Sequence, residues 1–169
     1  YKIALCNLGE FHCDYKYDIS KAIHYLELSA KQGYVQSMYD LGTIYSDSNY
    51  NVYDIYKSIY YFEMAANQNH TLSMFKLGAL YFLYLNDINK AIYYLKRSSE
   101  ENHIESQYFL GVIYYNELDI NKAIWYFKLA ADQNHAEAQY YLGVIYGEGK
   151  YIMADYNKAI YYYILAANQ

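Results

Sequence analysis

Few residues in this chain are equipped for chemistry. Cys6, His12 and Cys13 fall within eight residues of one another, and His70, His103 and His135 recur at intervals of 33 and 32. Thiolates and imidazoles are soft-metal ligands, and a thiol beside an imidazole can be a nucleophile with its base. Neither group has the spacing to work this way. Zinc needs its ligand atoms about 2 Å from one point, whereas equivalent residues on successive packed helix pairs stand roughly 10 Å apart. Tyr34 holds the same place as these histidines earlier in the chain, so a packing role over a helix end fits them better. Cys6 and Cys13 are two helical turns apart, roughly 10 Å of rise, beyond the span of about 7 Å that a disulfide tolerates. No base and orienter accompany either thiol. The Gly147-Glu-Gly149 segment follows no expected strand and reads as a turn, not a phosphate cradle. Asn69-His-Thr71 matches a glycosylation sequon by chance in an Asn-rich chain. No catalytic residue, cofactor or metal is expected, and the chain does not read as an enzyme.

The remaining composition describes elements, not chemistry. There are 28 Tyr, 6 Phe and 1 Trp, and no Pro. Without Pro the commonest helix breaker is absent, and so much aromatic area excludes a disordered chain. The net charge of −5 is spread without a Lys/Arg run, which argues against nucleic acid. Apolar stretches are interrupted too often for a membrane-spanning helix. Two cysteines without a disulfide framework favour a reducing, cytoplasm-like compartment, which would be a host cytoplasm if the source is a virus or intracellular pathogen. The chain begins at Tyr1 inside a helical pattern and reads as trimmed from a longer array.

A period governs the whole sequence. Leu-Gly pairs recur at Leu8-Gly9, Leu41-Gly42, Leu77-Gly78, Leu110-Gly111 and Leu142-Gly143, with the glycines 33, 36, 33 and 32 residues apart. Three residues beyond each glycine stand His12, Tyr45, Tyr81, Tyr114 and Tyr146. A second block starts at Asp18, Asp54, Asp87, Asp119 and Asp155, each followed by Lys three residues later, then by Tyr25, Tyr61, Tyr94, Tyr126 and Tyr162. It closes on a small pair such as Ala65-Ala66 or Ala130-Ala131. The aspartates read as N-caps. Gly33, Asn69, Asn102 and Asn134 read as left-handed helix ends. Each period therefore predicts two amphipathic helices, A through the Leu-Gly pair and B from the aspartate to the small pair. Stacking of successive pairs is obligatory because no single pair buries its own face. The boundaries fall at about 1–34, 35–70, 71–103, 104–135 and 136–169.

The fifth copy carries the fullest pattern: Ala138, Leu142-Gly143, Tyr146-Gly147, Gly149, Asp155, Lys158-Ala159 and Ala166-Ala167. This resembles the Sel-1-like repeat family, a relative of the tetratricopeptide repeats, and the resemblance covers essentially the whole chain. It departs from the pattern in three copies. The spacing from glycine to the small residue of helix B is 16 in copies two and five but 13, 13 and 12 in the others. The resemblance implies an all-α, α-α superhelix: a right-handed α-solenoid of five helix-turn-helix repeats, with A helices on its concave side, acting as a scaffold or adaptor for another protein.

Register then predicts a partner-binding groove. Residues two before and two after each leucine of helix A, and one turn further on, are expected to point to the concave side, where the aromatic-rich face would take the partner. In the central and later copies this selects Tyr39, Phe75, Phe82, Tyr108, Val112, Tyr115, Tyr140 and Val144, and Leu72, at the start of the third helix A, faces the same way. Such aromatics make binding anchors, although the same residues could pack between neighbouring A helices. Towards copy one the stripe turns polar, through Glu10 and Asp14. The expected partner is a protein or peptide. The alternative is a structural subunit that self-associates through uncapped terminal repeats, for which exposed Ile160 and Tyr163 would be the sign.

Overall fold

The computed structural model describes residues 1–14 and 18–169, and the side chain of Asp14 also lies outside the described set. Among the described residues there are ten helices in five pairs and no strand. The A helices are α1 (Lys2–Asp14), α3 (Val35–Ser46), α5 (Thr71–Leu83), α7 (Ile104–Asn116) and α9 (Ala136–Glu148). The B helices are α2 (Ile19–Ala30), α4 (Ile55–Ala66), α6 (Ile88–Glu100), α8 (Ile120–Ala131) and α10 (Tyr156–Ala167). Two compact units divide the chain within α5: Tyr1–Leu77 and Gly78–Gln169.

Each aspartate of the repeat caps its B helix. The Asp18, Asp54, Asp87, Asp119 and Asp155 carboxylates accept from the backbone N–H of Lys21, Lys57, Lys90, Lys122 and Lys158 at 3.0–3.2 Å. The same lysines fold back. In copies two to five Nζ lies 4.8–5.2 Å from the ring centroid of Tyr45, Tyr81, Tyr114 or Tyr146. Those rings stack nearly parallel on Tyr61, Tyr94, Tyr126 and Tyr162, with centroids 5.5–5.9 Å apart. The repeated Tyr pair is thus an offset stack that joins A to B, with a cation over its outer ring. Copy one substitutes His12, which stacks on Tyr25 at 5.6 Å with its Nδ1 buried and, among the described residues, unbonded.

The glycines of the Leu-Gly pairs receive a bulky apolar side chain of helix B. A Cβ on Gly42 would stand 2.6 Å from the Phe62 ring, on Gly111 2.5 Å from Phe127, and on Gly78 2.4 Å from Leu95. No side chain fits there without moving a packed, fully buried ring or leucine. Serines do similar work between B and the next A: Ser37 Oγ donates to Ser29 Oγ at 2.8 Å, and Ser106 Oγ to Ser98 Oγ at 2.8 Å, so these buried hydroxyls are satisfied.

Helices end as the sequence predicts, with positive φ at Gly33 (77°), Asn69 (60°), Asn102 (63°) and Asn134 (64°). The shortened A–B links add two more, Asn86 (51°) and Leu118 (60°), each immediately before the capping aspartate. Asparagine tolerates that conformation. Leucine does so at a cost of about 1–2 kcal/mol, and Leu118 is exposed, without packing to offset it. The tight turn overrides the side-chain preference there. The histidines do more than pack. His70, His103 and His135 sit just before α5, α7 and α9, and Nδ1 of each accepts the N–H of Ser73, Ser106 or Ala138 at 3.3 Å. This requires an unprotonated Nδ1, and burial lowers the pKa of His70 and His103 accordingly.

At the chain ends, Leu8 is 38% exposed and Tyr163 39%, whereas their counterparts Leu41, Leu110, Phe62 and Phe127 are fully buried. Ile160 is likewise exposed. Among the described residues no helix is long and apolar enough to cross a membrane.

Candidate functional site

The A helices present the outward stripe unevenly. In the second unit, Tyr108 is half-buried and forms the hub of a ring cluster. It stacks on His135 at 4.6 Å, reaches Phe127 at 6.1 Å and Tyr141 at 6.1 Å, and meets Phe109 edge-on at 5.8 Å. Burial raises the Tyr108 phenol pKa, so it stays neutral. Tyr141 stacks on Phe127 at 4.9 Å and meets Tyr115 at 5.8 Å, which in turn meets Tyr151 at 5.9 Å. Phe82 meets Phe109 at 6.3 Å. Val112 and Val144 are half-buried, and Tyr140 stands 54% exposed at the rim. Tyr108, Tyr140, Tyr141 and Tyr163 line an open cleft of about 590 Å³ with Ala136, Glu137, Ala166 and Ala167.

The first unit uses the same register with different chemistry. Tyr39 leans on Phe62 at 5.8 Å and on His70 at 5.1 Å, as Tyr108 does on Phe127 and His135. Beside it opens a cleft of about 300 Å³. Leu26 and Ile44 form its apolar floor, Tyr39 and Tyr50 are aromatic walls, and Glu10, Asp40 and Asp47 supply carboxylates. Cys13 and Thr43 complete the lining, and the Cys13 sulfur lies 3.8 Å from the Tyr50 hydroxyl. Cys6, 1% exposed, directs its thiol to Glu10 Oε1 at 3.3 Å and Asp40 Oδ2 at 3.6 Å. Asp40 Oδ1 also accepts from Gln36 Nε2 at 2.8 Å.

Sequence reasoning set Cys6 beside His12 and Cys13; tertiary packing gives it Glu10 and Asp40 instead. The three donor atoms lie within 4.8 Å of one another, a spacing that could hold a metal ion. Burial, reinforced by the two carboxylates, pushes the Cys6 thiol up to about 12, so at neutral pH the thiol is protonated and donates to them.

Of the residues selected by register, Tyr108 and Tyr140 line the cleft of the second unit; Tyr115 and Phe82 join the ring network through Tyr141 and Phe109, and Val112 and Val144 are half-buried and do not line the cleft. Tyr39 lines the cleft of the first unit. Leu72 is exposed and Phe75 half-buried in the first unit, and neither lines a described cleft. Asp14 falls outside the described side chains. Reasoning by register missed Phe109, Tyr141 and Asp40, which immediately precede their leucines, and also missed Asp47 and Tyr50 beyond α3. The signal for the first three was present: their aromatic or acidic types break the period at one position.

The Sel1 repeat family model matches residues 2–34, 35–70, 71–103, 104–135 and 136–169. None of the curated proteins is similar in sequence. Among solved structures, the chain is similar to a protective antigen of uropathogenic Escherichia coli strains that displays an SLR fold. The identity is 23% and the TM-score 0.83, covering 99% of this chain and 38% of that one. It is similar to a Sel1 repeat protein from Oxalobacter formigenes at 26% identity and TM-score 0.79, covering 99% and 73%. It is also similar to YrrB, a TPR protein with an unusual peptide-binding site, at 21% identity and TM-score 0.68, covering 99% and 86%. The chain thus spans little more than a third of the first of these, and the likeness establishes a fold of helix-pair solenoid repeats.

Proposed function

This chain belongs to the Sel1 repeat family, and on that premise we propose that it is a scaffold binding a protein or peptide on the outer face of its A helices. Repeat folds of this kind generally mediate protein–protein interaction, and Sel1 repeat solenoids are typically non-enzymatic. The observation that carries the reading is the cleft of about 590 Å³ in the second unit, bounded by Tyr108, Tyr140, Tyr141 and Tyr163. Tyrosines held by neighbouring rings lose little entropy on binding and offer both apolar area and a hydroxyl. YrrB, with its peptide-binding site, shows that a related helix-pair fold accommodates such a ligand.

The reading is tested by selecting displayed peptides on the intact chain and measuring their affinity for a Tyr140→Ser variant. Tyr140 is mostly exposed, so its loss leaves the fold intact. Binding at least fivefold weaker is expected, about 1 kcal/mol. Unchanged affinity in a variant with native circular dichroism, or no selected peptide, overturns the reading.

A further inference from the structure

Tyr108, Tyr140, Tyr141 and Tyr163 line the second unit's cleft, and its one carboxylate is Glu137. We propose that this cleft is an aromatic cage for a trimethyllysine side chain of a bound protein. The inference rests on the protein-binding reading above and names the side chain that the cleft would recognise.

The rings form a continuous run. The centroids of Tyr108 and Tyr141 are 6.1 Å apart with the planes at 54°, those of Tyr141 and Tyr140 6.0 Å apart at 78°, and those of Tyr140 and Tyr163 6.0 Å apart at 52°. Parallel walls would sandwich a flat group, whereas walls inclined to one another suit a compact, rounded one. A tyrosine ring face is partially negative and attracts a cation held within about 6 Å of its centroid. Stacking on His135 and Phe127 fixes Tyr108 and Tyr141 before any ligand arrives, which lowers the ordering cost of binding.

The charge of the cleft has the matching sign. Glu137 is 68% exposed on the first turn of α9, and no Lys or Arg is among the described lining residues. His135 Nδ1 lies 3.5 Å from Glu137 Oε2 but accepts the Ala138 N–H, so while that cap holds it carries no proton to neutralise the carboxylate. The positive pole of α9 borders the cleft at Ala136, and Glu137 itself offsets it. The α10 carboxyl end, at Ala166 and Ala167, adds partial negative charge.

A trimethylammonium group matches each part. It is permanently charged, rounded, and has no N–H to satisfy, and its methyls suit the rings and the three alanines. An unmodified lysine ammonium is strongly hydrated and brings three N–H donors to a cleft with a single carboxylate. A guanidinium is planar and wants a parallel wall. A choline headgroup carries a phosphate beside its ammonium, which Glu137 repels and no Lys or Arg of the described lining receives, so a modified protein side chain is the better match.

The probe is the pentapeptide acetyl-Gly-Ser-Lys(trimethyl)-Ser-Gly-amide, followed by amide NMR on the intact chain. Its controls are the unmodified lysine peptide, a neutral isostere with carbon in place of the quaternary nitrogen, and phosphocholine. The trimethyllysine peptide should give saturable shifts at Glu137 and Tyr140, and every control should bind about fivefold more weakly or worse, because only a cation of this shape draws on the ring faces. Tyr140→Leu keeps apolar bulk but removes a ring, and Glu137→Gln removes the charge; each should weaken binding of the trimethyllysine peptide severalfold. Absence of saturable shifts, a control that binds as well, or unchanged affinity in either variant with native circular dichroism overturns the proposal. Displayed peptides carry no methylated lysine, so their selection and the Tyr140→Ser result report on the general reading independently.

Discussion

The A-helix faces of the two units are one frame with two decorations. Tyr39 and Tyr108 occupy the same register position, rest on the same B-helix ring (Phe62, Phe127) and lean on the same histidine cap (His70, His135) at closely similar distances. The next residue differs: Asp40 in the first unit, Phe109 in the second. From there the first face collects carboxylates and a thiol, and the second collects rings. The comparison teaches that the packing beneath the face is dictated repeat by repeat, while the face itself is free to vary. A Cβ cannot be added at Gly42 or Gly111, but the residue before the leucine is only partly buried and differs in chemical type between the two units.

The sharpest way to break the comparison is to attack the frame. Gly111→Val puts a branched side chain where a Cβ alone would stand 2.5 Å from the Phe127 ring. Overpacking of this kind should cost about 3 kcal/mol, read as a lower denaturation midpoint with an unchanged slope. A loss under about 0.5 kcal/mol would mean that the ring relaxes freely and that the frame is softer than the packing implies.

The next effect separates hub from rim on the aromatic face. Tyr108→Ala removes the ring that bridges α7, α8 and α9 and should destabilise by about 2 kcal/mol, whereas Tyr140→Ala, at an exposed rim, should cost under about 0.5. Equal losses in thermal unfolding would show that the cluster is not centred on Tyr108.

The smallest effect lies on the acidic face. Glu10→Gln removes one of two carboxylates that converge on the Cys6 thiol. Stability should stay within about 0.5 kcal/mol, with any change a gain from relieved repulsion. A loss above about 1 kcal/mol in urea unfolding would make Glu10 a structural residue and erase the contrast with the aromatic face.

Much of this molecule is local in sequence and was legible there. The period, the ten helices, the aspartate caps and the left-handed Gly and Asn ends depend on residues within one turn or one repeat, so spacing exposes them. The outward stripe was legible in part, since helical register alone selects Tyr39, Tyr108 and Tyr140. It could not reveal that Cys6 is buried against Glu10 and Asp40, because Asp40 comes from the next repeat, 34 residues away in the chain. Nor could it separate Tyr108, half-buried among rings, from Tyr140 at the rim, because that depends on α8 and α9 together.

The sequence by itself determined the repeat and its helices, because each cap, turn and apolar position is satisfied by near neighbours. Only the tertiary structure decided which outward residues meet, which histidine atoms cap helices and where a cleft opens. Those depend on distances within and between successive helix pairs, set respectively by glycine–ring and serine–serine contacts that no single helix contains.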